Sequence, residues 1–174
     1  MNRKFGIGIS LVFFIVAGFS LVRFFSNRTT PQENAVESSI KYKPEIVKSD
    51  AEWKKILTSE QYHILREQGT DIPFTHNDIL HEKRPGTYVT ADCNEPVFRS
   101  ETKFDSGTGW PSFYAPIEGS VVEIEDNTLG IKRVEIVGKK CGGHLGHVFE
   151  DGPEPTGLRY CINATALKII QDSE

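Results

Sequence analysis

Two cysteines, an arginine, an asparagine and two histidines share one short stretch, residues 141–163, which glycine and proline repeatedly interrupt. Arg159, Cys161 and Asn163 are spaced two apart, so a strand through them would turn all three side chains to one face. A guanidinium beside a thiol stabilises the thiolate, which is the nucleophilic form of cysteine. Arg159 is therefore expected to lower the pKa of Cys161, and Asn163 to offer a hydrogen bond at the same face. The stretch predicts a thiol-based enzyme.

The two histidines of this stretch, His144 and His147, could move protons to and from a reacting group near neutral pH. Their spacing of three brings them together only if the backbone turns, which Gly142, Gly143 and Gly146 permit. Paired histidines could also be metal ligands, but a lasting zinc site needs further thiolates or carboxylates at matching spacing. From the residues alone, both interpretations stay open.

Helix signals followed by many short apolar runs predict the elements that position these groups. Residues 49–52 and 58–61 are typical helix starts, and Gly69 is expected to end the second helix. Strands are predicted at residues 87–90, 96–98, 120–124, 131–137, 158–163 and 167–170. Helices first and short strands later are typical of an α+β domain with a mainly antiparallel β-sheet.

An uncharged run of 18 residues, 5–22, lies between Arg3-Lys4 and Arg23. It is at the lower limit for crossing a bilayer and longer than the apolar part of a usual signal peptide. No small-residue cleavage motif follows, so we interpret it as one uncleaved membrane-anchor helix, with cleavage left open. The basic pair before the run favours a membrane-anchored protein whose catalytic domain is extracytoplasmic, in the periplasm.

The overall composition sets three further expectations. The chain has 20 lysine and arginine residues against 24 acidic ones, a formal net charge of -4, and no basic cluster, which argues against nucleic acid as a partner. Three cysteines in an exported chain suggest one pair and one reactive thiol. The chain divides into an anchor, a polar tether and a folded domain, at residues 1–25, 26–47 and 48–174.

Three blocks of this sequence resemble the signature blocks of the peptide-methionine (R)-S-oxide reductases, the MsrB family. They are Lys-Phe-Asp-Ser-Gly-Thr-Gly-Trp-Pro-Ser-Phe (103–113), Cys-Gly-Gly-His-Leu-Gly-His-Val-Phe-Glu-Asp-Gly-Pro (141–153) and Pro-Thr-Gly-Leu-Arg-Tyr-Cys-Ile-Asn (155–163). The blocks occur in the family's order. The resemblance implies an MsrB-like fold and reduction of methionine (R)-sulfoxide in peptides or proteins, through a sulfenic acid on the nucleophile.

By motif position, the resemblance also implies roles for individual residues. Four residues match the family's catalytic positions: Cys161, His144, His147 and Asn163. Four others match positions that line or support the substrate pocket: Trp110, Arg159, Phe149 and Asp151. The thiol would be the nucleophile, and the imidazoles and the amide would bind and protonate the sulfoxide oxygen through ordered water. The indole ring would contact the S-methyl group of the substrate.

One departure from the family pattern concerns the return of the enzyme to its reduced form. Many members have a resolving cysteine in the Gly-x-Gly-Trp-Pro block, where this chain has Thr108. The usual internal disulfide with Cys161 is therefore excluded. We favour direct reduction of the sulfenic acid by an external thiol, and the alternative is that Cys93 or Cys141 resolves it.

A second departure concerns the family's structural zinc site, which normally has two Cys-x-x-Cys pairs. Each pair here keeps only its second cysteine, Cys93 and Cys141, with Asp92 as a weak substitute. Two thiolates do not complete a tetrahedral site, so we predict no zinc and no other cofactor. The two cysteines would face each other across the former site and could form a disulfide, or they could be unpaired remnants.

Two other functions stay open beside the reductase. One is a non-catalytic binding module on the same scaffold, for which retention of the nucleophile would serve no purpose. The other is a hydrolase using Cys161, a histidine and Asn163, although the order of these residues and the lack of a recognisable oxyanion hole argue against it. The expected partners are proteins or peptides that contain methionine sulfoxide, a thioredoxin-like reductant and the membrane.

Overall fold

Two antiparallel sheets and three short helices make up the described part of the chain, residues 42–128 and 130–172, in the computed structural model. The predicted α+β domain with a mainly antiparallel sheet is therefore confirmed. The predicted anchor, residues 1–25, lies outside the described residues. None of the helices within the described ranges is long and apolar enough to cross a membrane.

The two predicted helices begin at the expected capping boxes. The helices are α1 Asp50–Ile56, α2 Ser59–Glu67 and a short α3 Asn77–Leu80. The backbone N–H of Ser49 donates to Glu52 Oε2 at 2.8 Å, and the N–H of Gln61 donates to Thr58 Oγ1 at 3.1 Å. Helix α2 ends one residue earlier than predicted, because Gln68 adopts the left-handed conformation before Gly69.

Nine strands in the described residues form the two sheets. They are β1 Gly86–Thr90, β2 Pro96–Arg99, β3 Lys103–Phe104, β4 Ser112–Phe113, β5 Val121–Asp126, β6 Arg133–Gly138, β7 His144–Phe149, β8 Arg159–Ile162 and β9 Leu167–Gln171. The larger sheet has the order β3-β4-β8-β7-β6-β5, and the smaller one has the order β2-β1-β9. The two-residue strands β3 and β4 were not predicted, because so short a run carries no recognisable alternation.

An aromatic cluster joins the two sheets. Phe113 of the larger sheet stacks on Phe98 of the smaller sheet with ring centroids 4.4 Å apart, and it meets Tyr88 edge-on at 5.0 Å. All three rings are fully buried. Trp53 and Leu65 extend the same core from the helices. The core therefore lies behind β4 and β8, and leaves the other face of these strands for chemistry.

The last residues of the predicted tether contact the folded domain. The Tyr42 hydroxyl donates to the carbonyl oxygen of Gly138 at 3.0 Å, and the N–H of Ile46 donates to the carbonyl oxygen of Lys140 at 2.9 Å. The ordered domain thus begins several residues before residue 48.

A disulfide between Cys93 and Cys141 closes a sequence separation of 48 residues. It links the β1–β2 connection to the β6–β7 connection, and so fastens the small sheet to the large one. The two remnants of the former zinc pairs are therefore bonded to each other. Among the described cysteines, Cys161 is the free thiol.

Removing this disulfide is expected to lower the free energy of unfolding substantially. In the chain-entropy picture, a loop closed over a separation of 48 residues contributes about 4 kcal/mol. The measurement is urea unfolding of the Cys93→Ser/Cys141→Ser double variant against wild type. Cys161→Ser, which keeps the disulfide, is the control. A loss below about 1 kcal/mol would show that the cross-link adds little to this fold.

Candidate active site

The free thiol lies at the centre of the larger sheet. Cys161 on β8 stands directly opposite Ser112 on β4 and His147 on β7. Directly opposed residues on neighbouring strands point to the same face, so the thiol and the imidazole share a surface. Cys161 is partly exposed, and a substrate can reach it.

A β-bulge brings the second histidine to the same face. Val137 on β6 pairs with His144 and Ile136 pairs with Gly146, so Leu145 is an extra residue on β7. The bulge turns His144 and His147 to one side, and their ring centroids lie 5.5 Å apart. This bulge is the backbone turn that the sequence analysis required for His144 and His147 to lie close together.

Gly146 is needed in the bulge because β8 passes too close for a side chain. A Cβ atom at this position would lie 2.1 Å from the carbonyl oxygen of Cys161 and 3.0 Å from the Cα of Ile162. The backbone of the nucleophile therefore occupies the space that any other residue would need.

Replacing Gly146 with alanine is expected to push β8 away from β7, displace the thiol and lower kcat/KM for the substrate at least about 100-fold. Gly157→Ala is the matched control, since Gly157 also has a positive φ, of 72°, but nothing lies near its Cβ position. The control should cost only about 1 kcal/mol of stability and leave activity close to wild type. Equal activity losses in the two variants would contradict the close-approach argument.

Each histidine is held by a carboxylate that the sequence analysis did not single out. His144 Nδ1 lies 2.7 Å from Glu135 Oε1, and His147 Nε2 lies 2.8 Å from Asp126 Oδ2. A carboxylate only accepts, so each neutral ring donates through that nitrogen and keeps a lone pair on the other. The signal that could have found Glu135 is an acid in the middle of an otherwise apolar strand.

The electrostatics around His147 favour its neutral form. Burial lowers the pKa of His147, and this outweighs the opposing hydrogen bond to Asp126. Burial of Asp126 acts to raise its pKa, but hydrogen bonds from Thr128 and His147 and the charge of Arg133 hold it well below the usual range. The carboxylate thus stays ionised while the imidazole is neutral and able to accept a proton.

Asn163 does not lie on the strand with the nucleophile, in contrast to the prediction. Strand β8 ends at Ile162, and Asn163 is buried and precedes a 3-10 turn. Its backbone N–H and its Nδ2 both donate to the carbonyl oxygen of Leu145, at 2.8 and 3.1 Å. Its Oδ1 accepts the N–H of Asp71 at 2.9 Å. The amide therefore fastens the bulge residue and the 71–76 segment, and its role at the substrate oxygen stays a prediction.

Asp71 also positions Trp110, a connection that the sequence did not reveal. The indole Nε1 of Trp110 donates to the carbonyl oxygen of Asp71 at 3.0 Å. The ring is partly exposed, and Trp110 lies two residues before Ser112, the strand partner of Cys161. The indole can thus present an apolar surface to a small group held above the thiol.

Arg159 is fixed by two of the other predicted residues. Its Nε and one terminal nitrogen donate to the two carboxylate oxygens of Asp151 at 2.8 and 2.9 Å. Its guanidinium lies 4.5 Å from the centre of the Phe149 ring. The structure thus brings Arg159, Asp151 and Phe149 together next to Cys161.

The site lies within a stretch of the chain that matches a known protein family. The SelR domain matches residues 57–171. That match spans most of the chain. The chain belongs to the SelR (MsrB) family. A peptide methionine sulfoxide reductase MsrB of Methanosarcina mazei is 52% identical over 130 residues, covering 74% of this chain and 92% of the relative. The MsrB of Leptospira interrogans is 55% identical over 129 residues, covering 74% and 98%.

A disulfide and an ion pair lie where the resemblance implies the zinc site of the family. The sulfur atoms of Cys93 and Cys141 are bonded to each other and cannot ligate a metal as thiolates. The guanidinium of Arg66 forms an ion pair with Asp92 and donates to the carbonyl oxygen of Cys141 at 2.9 Å. A positive side chain and a disulfide thus hold these two loops together. These residues do not fit zinc in their disulfide form, and the absence of zinc stays a prediction.

The pKa of Cys161 is raised, whereas the sequence analysis expected Arg159 to lower it. Burial raises it above its usual range, and the nearby charge of Arg159 and a hydrogen bond from Thr108 only partly offset this. The family's resolving-cysteine position therefore carries a hydroxyl in contact with the nucleophile. The Thr108 hydroxyl also forms a hydrogen bond with the Ser106 hydroxyl, with the two oxygen atoms 2.8 Å apart.

The rate of Cys161 alkylation is therefore expected to rise with pH to a midpoint above that of an ordinary cysteine. Only the thiolate reacts, and the raised pKa shifts its formation to higher pH. Arg159→Met should raise the midpoint further, because it removes a positive charge that favours the thiolate. Arg99→Met, on the other sheet, should leave it unchanged. The measurement is iodoacetamide labelling followed by mass spectrometry, and a lower midpoint in Arg159→Met would contradict the assignment.

Proposed function

We propose that this protein reduces methionine (R)-sulfoxide in peptides or proteins to methionine, with Cys161 as the nucleophile. The observation that carries the proposal is the pairing of Cys161 with His147, beside His144, on one face of the sheet. Relatives that share more than half of the aligned residues are named peptide methionine sulfoxide reductases, which supports the proposal.

The reaction requires a thiolate, a proton and an apolar surface that contacts the S-methyl group of the substrate. The Cys161 thiolate attacks the sulfoxide sulfur, and the oxygen is protonated as the sulfur–oxygen bond breaks. Two electrons pass from the cysteine sulfur to the substrate sulfur, which leaves as methionine. The substrate oxygen is lost as water, and a water molecule that attacks the Cys161 sulfur expels methionine and leaves the cysteine as a sulfenic acid. The proton that the Cys161 thiol releases passes to His144 or His147 and from there, through ordered water, to the leaving oxygen.

The surrounding residues hold the substrate and the thiol in place. The Trp110 ring, fixed through Asp71, forms the wall for the S-methyl group. Arg159 favours the thiolate and is itself oriented by Asp151 and Phe149. The reaction thus draws on all the predicted pocket residues, although Asp151 and Phe149 act through the guanidinium.

Return of the enzyme to the thiol form uses an external reductant. An incoming thiolate attacks the sulfur of the sulfenic acid, water leaves, and a second thiol releases Cys161 and leaves with the disulfide. Thr108 cannot supply the first thiol, and Cys93 and Cys141 are already bonded to each other. A thioredoxin-like dithiol is therefore the proposed partner, and these steps require no metal or organic cofactor.

We further propose that the domain acts outside the cytoplasm, held by the apolar run of residues 5–22. The Cys93–Cys141 disulfide supports this location, because stable disulfides persist in oxidising compartments. Protease added to spheroplasts should digest the domain and leave a cytoplasmic control protein intact. Protection of the domain until the membrane is opened would reverse the assigned orientation.

The deciding experiment is reductase activity of the full-length chain on separated R and S epimers of a methionine sulfoxide peptide, driven by a small dithiol. Turnover of the R epimer alone is expected. If neither epimer is turned over while Cys161 is shown to be reduced, the proposal of a reductase is wrong and a binding module is favoured. Covalent trapping by an acyl electrophile without any response to sulfoxide would favour the hydrolase.

A further inference from the structure

A second cluster of ligand-type side chains lies outside the catalytic face. His76 Nε2 is 3.6 Å from Glu60 Oε1 and 3.7 Å from Asp71 Oδ1. The Thr165 hydroxyl lies 3.1 Å from the same nitrogen. One ligand atom from each of the histidine and the two carboxylates lies within 4.8 Å of the others. Three separate segments of the chain thus converge on one point.

The cluster is built on a rigid base. The side chain of Asp71 is only 3% exposed, and its Oδ2 accepts the backbone N–H of Thr165 at 2.9 Å. This contact turns Oδ1 towards the imidazole. Glu60 lies in the first turn of α2, and His76 immediately precedes α3. Their side chains are 65% and 28% exposed, so the cluster opens to solvent on one side.

The spacing of these atoms is close to that of ligands around a small divalent cation. Ligand atoms about 2.0–2.1 Å from a tetrahedral zinc lie roughly 3.3–3.4 Å from one another. The two distances to His76, 3.6 and 3.7 Å, need only a few tenths of an ångström of closure, and the two carboxylates lie within 4.8 Å of each other. An exposed glutamate can supply that closure by rotation of its side chain.

We propose that Glu60, Asp71 and His76 bind a divalent transition-metal ion, with Zn²⁺ as the best match. An imidazole with two carboxylates suits zinc and its first-row neighbours, whereas Ca²⁺ and Mg²⁺ prefer oxygen ligands alone. The Thr165 hydroxyl and water complete the coordination from the solvent side. The site is separate from the cysteine remnants and from the catalytic thiol.

A metal ion here would act on the catalytic face through Asp71. The backbone N–H of Asp71 donates to Asn163, and its carbonyl oxygen accepts from Trp110. Binding therefore fastens the 71–76 segment to α2 and holds the indole and the bulge in place. The consequence is a metal-dependent increase in thermal stability.

The test uses Co²⁺ as a spectroscopic probe on the full-length Cys161→Ser chain in detergent, which removes the free thiol of the described residues as a competing ligand. Saturable binding with a visible d–d spectrum and no thiolate charge-transfer band is expected. His76→Gln and Glu60→Gln should each weaken binding at least about tenfold and remove the metal-dependent rise in Tm. Zn²⁺ should displace the cobalt.

Two matched variants locate the metal. His63→Gln removes a surface histidine that pairs with Glu67 at 3.0 Å, and His147→Gln removes a catalytic-face histidine. Both should retain the cobalt spectrum. Loss of binding in either of these variants, or unchanged binding in His76→Gln, would overturn the proposal, as would the absence of saturable binding in the parent chain. Because His76 and Glu60 are partly or largely exposed, their variants are expected to fold.

Discussion

Replacement of Cys161 by serine is expected to lower the rate of methionine (R)-sulfoxide reduction by about 10⁴-fold or more. The serine hydroxyl is nearly isosteric but is not ionised at neutral pH, so no nucleophile attacks the sulfoxide sulfur. The site otherwise remains intact, because Cys161 is held by strand pairing with β4 and β7 rather than by its sulfur. Single-turnover conversion of an R-sulfoxide peptide, followed by mass spectrometry, measures the effect.

Binding of the sulfoxide peptide to Cys161→Ser should persist, since the indole of Trp110 and the two histidines are unchanged. Isothermal titration calorimetry with the R and S epimers provides this second readout. Ser120→Ala, at a buried serine away from the catalytic face, serves as a control for general disturbance of the fold. Turnover by Cys161→Ser close to that of wild type would place the nucleophile elsewhere and remove the basis of the mechanism.

Replacement of Thr108 by cysteine is expected to convert the enzyme to one that resolves its own sulfenic acid. The Thr108 side chain already contacts the Cys161 sulfur, so the introduced thiol lies within reach of it. After one equivalent of sulfoxide and without reductant, wild type should hold a sulfenic acid that dimedone labels. The variant should form an internal disulfide instead, with nearly complete loss of dimedone labelling and of free thiol.

Thr108→Ser is the matched control, because it keeps the hydroxyl and adds no thiol. It should label with dimedone as wild type does. If Thr108→Cys still accumulates a dimedone-reactive sulfenic acid, the 108 side chain is too far from the nucleophile during turnover. If wild type itself accumulates no sulfenic acid but loses its free thiol, then Cys93 or Cys141 is a free thiol in solution and condenses with the Cys161 sulfenic acid, and external reduction of the sulfenic acid is wrong.

The sequence by itself determined the family and the class of fold, and it predicts Cys161 as the nucleophile. Short motifs sufficed because the chemistry needs particular residue types within one contiguous stretch, residues 141–163, and because a capping box is a local signal. The sequence also showed that each Cys-x-x-Cys pair lacks its first cysteine, since each pair spans only four residues. The disulfide between Cys93 and Cys141 was only one of two alternatives, because a sequence does not show which sulfur atoms are bonded to each other.

Only the tertiary structure decided how the site is held and how it titrates. Glu135 and Asp126 are far from the histidines along the chain, and the bulge at Leu145 depends on pairing with β6. Burial outweighs Arg159 at the Cys161 sulfur, because desolvation depends on everything packed around a group and not on its sequence neighbours. For the same reason Asp71 could not be recognised as a positioning residue, since its partners come from distant segments.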